Sequence, residues 1–179
     1  MSAGPLHLSL LPQTASIADG RLSVGGRDVI ELTERYGTPL FVYDEQQLID
    51  RCQEAVAAFP DGAAYASKAF LCKAMARIAH EAGMSIDVAT GGELFVAMAA
   101  GVPPERLVFH GNNKSTGELR MAIDERVGTI VVDSSDEMDR IEALATSGSM
   151  RPNVLIRLNP GIEAHTHEYL QTGVEDSKF

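Results

Sequence analysis

The sequence predicts an α/β protein whose parallel sheet forms the front part of a (β/α)8 TIM-type barrel, about five of its eight strands. Three observations predict it. From residue 60 onward, short β-type runs alternate with helical patterns; each run closes on polar residues; and the first sixty residues keep a different rhythm.

In chain order, Gly20 to Gly26 reads as a hairpin or turn, because glycines bracket the short run Arg21-Leu22-Ser23-Val24. Thr38-Pro39-Leu40-Phe41-Val42-Tyr43 reads as a strand outside the βα alternation, and Asp44 caps a helix whose buried stripe is Leu48, Cys52, Ala55, Val56 and Phe59. A segment of this kind belongs to a second layer or domain. The βα strands are then expected at 63–67, 85–89, 107–110, 129–133 and 154–158. Between them, Leu71, Ala74, Met75, Ile78, Ala79 and Ala82 repeat on one helix face before Gly83. Ser115-Thr116-Gly117-Glu118 has the spacing of a capping box ahead of Leu119, Ala122 and Ile123, and Met138, Ile141, Leu144 and Ala145 line a helix ending at Gly148. There is no internal repeat beyond the βα period and no low-complexity tract.

The strand ends choose between an open doubly wound sheet and a barrel. They carry Lys68; Asp87 with Thr90; His110 with Asn112 and Asn113; Asp133 with Ser134 and Ser135; and Arg157 with Asn159. In a barrel these ends converge on one mouth, whereas an open sheet scatters most of them. Five strands cannot close an eight-stranded barrel, so the chain is expected to be the front part of a larger protein.

Composition narrows the function classes. The 179 residues are 45% hydrophobic and 22% charged, typical of a globular protein, and the net charge of −10 argues against a nucleic-acid or anionic-membrane surface, since both need a basic stripe. The first basic residue is Arg21, and His7 and Ser9 interrupt the apolar stretch from Leu6 to Leu11, so neither a signal peptide nor a membrane span is expected and the protein reads as cytoplasmic. Cys52 and Cys72 lack a CxxC spacing and fall on apolar faces of expected helices, which favours packing over a disulfide or a metal.

Among the candidate site residues, Lys68 ends the apolar run Tyr65-Ala66-Ser67, a position where burial can turn a lysine into an amine nucleophile; an ordinary strand-end lysine is the plain alternative. Gly91-Gly92 follows a strand and opens a helix, but Asp87 and Glu93 flank it with carboxylates that repel a phosphate, and neither GxGxxG nor GK[ST] occurs. Two readings of Asp87 and Glu93 stand level: they tune a cationic centre near Lys68, or they are a helix-capping Asp and a Glu on the helix dipole. His165-Thr166-His167 with Glu168 is too sparse for a metal site and reads as a loop that contacts substrate or a partner chain. Arg157 is placed to fork onto an anionic oxygen or to form a rim salt bridge. His110 is either an acid/base or stacking group, or a satisfied strand-end polar residue.

These segments, with Asp87-Val88-Ala89-Thr90-Gly91-Gly92-Glu93-Leu94, His110-Gly111-Asn112-Asn113-Lys114-Ser115, and Arg157-Leu158-Asn159-Pro160-Gly161 through His165-Thr166-His167-Glu168-Tyr169 to Asp176-Ser177-Lys178-Phe179, closely resemble the diaminopimelate decarboxylases. That family of pyridoxal-phosphate enzymes belongs to the alanine-racemase-like barrel group, with ornithine and arginine decarboxylases. Tyr-Ala-Ser-Lys is shared across the group, while the His-Gly-Asn-Asn-Lys and His-Thr-His-Glu-Tyr runs point to the diaminopimelate branch. The resemblance runs from about residue 38 to the last residue.

The resemblance implies PLP-dependent decarboxylation of meso-2,6-diaminopimelate to L-lysine and CO2, with pyridoxal 5'-phosphate held by Lys68 as a Schiff base. It places Asp87 beside the cofactor, Arg157 near the cofactor's phenolic oxygen, and Glu93 and His110 in the surrounding shell. It also implies a β domain to which residues 1–43 belong, a cofactor-binding barrel beginning at 44–179, a small amino-acid substrate and a homodimer. The family's glycine-rich phosphate loop, ring-stacking histidine, ring-nitrogen acid and C-terminal β domain would follow Phe179, so the 179-residue chain alone is expected to bind cofactor poorly and not turn over. Two other readings are carried: an arginine or polyamine-precursor decarboxylase of the same group, and a non-catalytic barrel homologue that binds a partner chain.

Overall fold

A computed structural model describes residues 8–147 and 151–158. The expectations on Gly148, on Asn159 to Gly161, on the run from His165 to Tyr169 and on residues 176–179 lie outside that range. The chain divides into two compact units, Met1–Asp61 and Gly62–Phe179.

In the first unit, β1 (Ser16–Ala18), β2 (Arg21–Val24) and β3 (Arg27–Asp28) form an antiparallel meander in sequence order. Both of its turns have two central residues in the left-handed region, Asp19 and Gly20 (φ 51° and 74°) and Gly25 and Gly26 (φ 56° and 72°). That is the two-residue hairpin geometry whose twist matches the strands, and it accounts for the glycines that bracket Arg21 to Val24. The sequence reading passed over a helix, α1 (Val29–Tyr36), although it carries both end signals: Asp28 Oδ1 accepts from the N–H groups of Ile30 (2.8 Å) and Glu31 (3.1 Å), and Gly37 follows. Asp28 also pairs with Arg21 at 2.6 Å, which holds its carboxyl below the usual range.

Two expectations for this unit need correction. Residues 38–43 pair with no strand among the described residues; Pro39 offers no N–H to a ladder, and Phe41 stands 86% exposed. Helix α2 (Glu45–Ala58) forms after Asp44 as expected, with Asp44 accepting from Gln47 N–H at 3.1 Å, and Cys52 is its buried residue. Phe59, however, lies past the helix end and is 68% exposed, because the chain leaves helical geometry before its side chain can join the stripe. Both cysteines are free thiols.

The second unit is a five-stranded, all-parallel sheet in the order β4 (Ala64–Ala66), β5 (Ser85–Val88), β6 (Leu107–Phe109), β7 (Thr129–Val132), β8 (Val154–Ile156). All five lie where the apolar runs predicted them. Each strand adds beside the previous one with no reversal of order; a doubly wound sheet would reverse at a switch point, so the sheet is an arc of a barrel. The register pairs Ala66 with Asp87, Asp87 with Val108, and Val131 with Leu155, so the polar strand ends advance along one rim.

Helices α3 (Lys73–Glu81), α4 (Gly91–Ala99), α5 (Thr116–Asp124) and α6 (Ser135–Ser147) fill the crossovers. The core lies between them and one sheet face, where Ile86, Val88, Leu107, Phe109, Ile130, Leu94, Ala97 and Leu119 have no exposed surface. Each large apolar side chain buried this way contributes about 1.5–3 kcal/mol. The face of α3 differs from expectation: Met75, Ala76 and Ala79 are buried, Ala74 is exposed, and Cys72 caps the helix instead of lying on it. No described helix is long and apolar enough to cross a membrane.

Candidate active site

The C-terminal ends of the strands frame a cavity of about 820 Å³ lined by Lys68, Asp87, Thr90, His110, Asn112, Asn113 and Arg157, with Gly111, Val131, Leu155 and Ile156 among its apolar and backbone walls. That volume accommodates a cofactor-sized ligand. Four of the five sequence-derived site residues therefore face one space. Glu93 does not line it, nor do Asp133, Ser134 or Ser135.

Lys68 sits in a short 3-10 turn, Ser67–Ala69, directly after β4. It is exposed and not buried, because β4 is an edge strand of the described sheet, while the preceding Ser67 is 2% exposed. Asp87 is the penultimate residue of β5, with Oδ1 3.7 Å from His110 Nε2. Burial pushes the Asp87 carboxyl above the usual range; His110 and Lys68 pull it down and Glu93 adds to the rise, and burial wins. The capping alternative for Asp87 is excluded, since Thr90 caps α4 by accepting from Glu93 N–H at 3.1 Å.

Glu93 turns back instead to accept from the N–H of Ala89 at 2.6 Å, which locks the strand-to-helix turn behind Asp87. The same device recurs one layer on. Ser134 Oγ accepts from Glu137 N–H (3.2 Å), and Glu137 Oε2 accepts from Asp133 N–H (2.9 Å). Between them, Ser115 and Glu118 form the expected capping box, and Glu118 also accepts from Gly91 N–H at 2.8 Å, tying the start of α5 to the start of α4. These backbone donors hold the Glu118 carboxyl below the usual range.

Two polar groups lie beneath the cavity: Lys114, to which the sequence reading gave no site role, and Asp133, which it counted among the converging strand ends. Lys114 has no exposed side-chain surface and donates to the carbonyls of Gly111 and Val131 (2.7 Å to the latter) while pairing with Glu137 at 2.9 Å. Asp133 is 9% exposed at its side chain, accepts no hydrogen bond among the described residues, and has Oδ2 3.9 Å from Arg157 Nη1. The signal for this layer was available: Thr90-x-x-Glu93, Ser115-x-x-Glu118 and Ser134-x-x-Glu137 repeat one spacing after three successive strands. Among the described residues no group of three or more His, Cys, Asp or Glu is placed to hold a metal ion.

An amine, a carboxylate, an imidazole and a guanidinium converging on one cavity suit a planar, aldehyde-bearing aromatic ligand: the amine can bond an aldehyde carbon, and the guanidinium can fork onto a ring oxygen. Residues 45–179 match the pyridoxal-binding domain of the pyridoxal-dependent decarboxylases. The diaminopimelate decarboxylase of Bacillus subtilis is 50% identical over 165 residues, which are 89% of this chain and 38% of that protein. A crystal structure of diaminopimelate decarboxylase from M. jannaschii in co-complex with L-lysine aligns with TM-score 0.82 at 36% identity, covering 93% of this chain and 41% of that one. A lysine/ornithine decarboxylase from Vibrio vulnificus complexed with putrescine aligns less closely, with TM-score 0.62 and 27% identity over 73% of this chain and 35% of that one. The chain thus spans about 38% of the length of the curated relatives it matches.

Proposed function

From the premise that the chain belongs to the pyridoxal-dependent decarboxylases, we propose that it carries the cofactor-anchoring part of an enzyme that converts meso-2,6-diaminopimelate to L-lysine and CO2. The observation that carries this reading is the placement of Lys68, Asp87, His110 and Arg157 around one cavity. The diaminopimelate branch is supported by the 50% identity to the Bacillus subtilis enzyme, against 27% to the Vibrio lysine/ornithine decarboxylase. Residues 44–179 are assigned to the barrel and 1–43 to the β domain, and the assembly proposed for a polypeptide of the relatives' length is a homodimer.

A pyridoxal cofactor held there would supply the electron sink for the pair released as the substrate carboxylate departs as CO2. Lys68 would supply the amine that condenses with the cofactor aldehyde, with loss of water. Asp87, held in place by the Glu93-locked turn, sets a negative charge beside that centre, and its partial burial makes the charge count for more than it would in water. His110 Nε2 faces Asp87 and is the group placed to hold a proton there. Arg157 presents a forked donor to the cofactor's phenolic oxygen, its backbone fixed by donation from Arg157 N–H to the Val132 carbonyl at 2.9 Å.

Incubation with pyridoxal phosphate, borohydride reduction and peptide mass spectrometry test the reading. Lys68 is expected to be labelled in preference to Lys73, and Lys68→Ala to abolish the preference. Equal labelling of Lys68 and Lys73 would sink it.

A further inference from the structure

We propose that the buried Lys114–Glu137 ion pair is a positioning unit that holds the His110 wall and the Arg157 wall of the cavity at a fixed spacing. The proposal rests on the cofactor reading above and concerns residues which that reading does not use.

Neither side chain lines the cavity, and their side chains are 0% and 3% exposed, so any effect on the cavity passes through the residues they hold. The Lys114 ammonium donates to Gly111 O and Val131 O and lies 2.9 Å from Glu137 Oε1 as an ion pair. Both carbonyl acceptors belong to the cavity wall. Gly111 sits at φ 112°, where a Cβ would come within 3.0 Å of the Ala89 carbonyl, so the turn carrying His110, Asn112 and Asn113 is tight and depends on its anchor. On the other side, Glu137 Oε2 accepts from Asp133 N–H, and the buried Asp133 carboxylate lies 3.9 Å from Arg157. A continuous path therefore runs from the loop after β6, through Lys114, Glu137 and Asp133, to the guanidinium at the end of β8.

Energetics favour a geometric role. Desolvating two charges offsets most of their attraction, so a buried ion pair contributes little net stability compared with apolar residues of the same size. What it supplies is direction: a salt bridge with five named contacts fixes where two loops sit. The fifth contact is Arg140 Nη1 donating to the Lys114 carbonyl at 2.7 Å, which ties the same loop to α6.

The test uses the double variant Lys114→Met/Glu137→Gln, which removes both charges of the pair and keeps an acceptor for Asp133 N–H, with Glu137→Gln alone as the variant that breaks the ion pair and leaves Lys114 in place. The chain is titrated with pyridoxal phosphate, reduced with borohydride, and the Lys68 to Lys73 labelling ratio is followed against pH. The charged groups around His110 are Lys68, Asp87 and Arg157 on the cavity, Glu93 behind the β5 turn and Asp133 beneath Arg157. Expected are a cooperative melt, a fall of at least about fivefold in the ratio for the double variant, a pH profile that converges on that of His110→Gln, and a fall in the same direction for Glu137→Gln. An unchanged ratio in either variant, a ratio lowered equally at every pH, or failure of the double variant to fold would each overturn the positioning role. A parent chain without preference for Lys68 overturns the cofactor reading itself, and the positioning proposal with it.

Discussion

Asp87 is a carboxylate on which three neighbours and burial act in opposite directions. His110 and Lys68 favour its ionised form, Glu93 and burial oppose it, and the sum is a raised pKa. A carboxyl raised on folding contributes no penalty below its ordinary pKa and an increasing one as pH climbs through the raised value, so the ionised side chain costs stability at neutral pH. Asp87→Asn is therefore expected to raise the melting temperature at pH 7, with the gain shrinking toward acid pH, while the preference for Lys68 in borohydride labelling falls; a gain independent of pH would contradict this account. Asp44 has the opposite sign. Thr14 and the Gln47 N–H lower its pKa, so its contribution is present above the ordinary carboxylate range and disappears as pH falls through the lowered value. Asp44→Ala should cost about 1–2 kcal/mol in denaturant unfolding near neutral pH.

At the scale of elements, the βα turns carry the structural logic of the second unit. Each Ser/Thr-x-x-Glu spacing caps its helix, and the glutamate then reaches a backbone N–H at the preceding turn or strand end. Glu118 does more, since it also satisfies Gly91 N–H across to the neighbouring helix. Glu118→Ala removes a cap and orphans that donor, with an expected loss of about 1–3 kcal/mol measured by chemical denaturation. Gly128 marks a second dependence of element on element. A Cβ there would lie 2.1 Å from the Glu105 carbonyl oxygen, so the turn between α5 and β7 presses directly on the backbone before β6. Gly128→Ala is expected to destabilise by at least about 1–3 kcal/mol, and a neutral effect in a thermal melt would refute this packing account.

For the whole molecule, the sequential parallel order leaves β4 and β8 as the edges of the described sheet. Val154, Leu155 and Ile156 are 36%, 59% and 65% exposed along β8, an apolar strand whose backbone can pair with another chain. The 179-residue chain is expected to self-associate with rising concentration in sedimentation velocity, and Ile156→Lys to reduce that association. Concentration-independent sedimentation would remove the edge from consideration.

The sequence by itself determined what rests on local physics. Apolar runs bounded by polar ends located all five parallel strands, the Ser115 to Glu118 spacing located its capping box, and the positions of Lys68, Asp87, His110 and Arg157 at strand ends were enough to bring them to one cavity. These depend on neighbours within a few residues or on strand order, both readable from the chain. Tertiary structure alone decided the rest. A lysine at position 114 looks solvated in sequence, and only the meeting of the loop after β6 with the first turn of α6 makes it a buried partner for Glu137, 23 residues away in the chain. Glu93 likewise turned from the site to the Ala89 backbone, and Lys68 stood exposed on an edge strand, because burial is a property of what packs against a residue and not of the residue's own apolar flank.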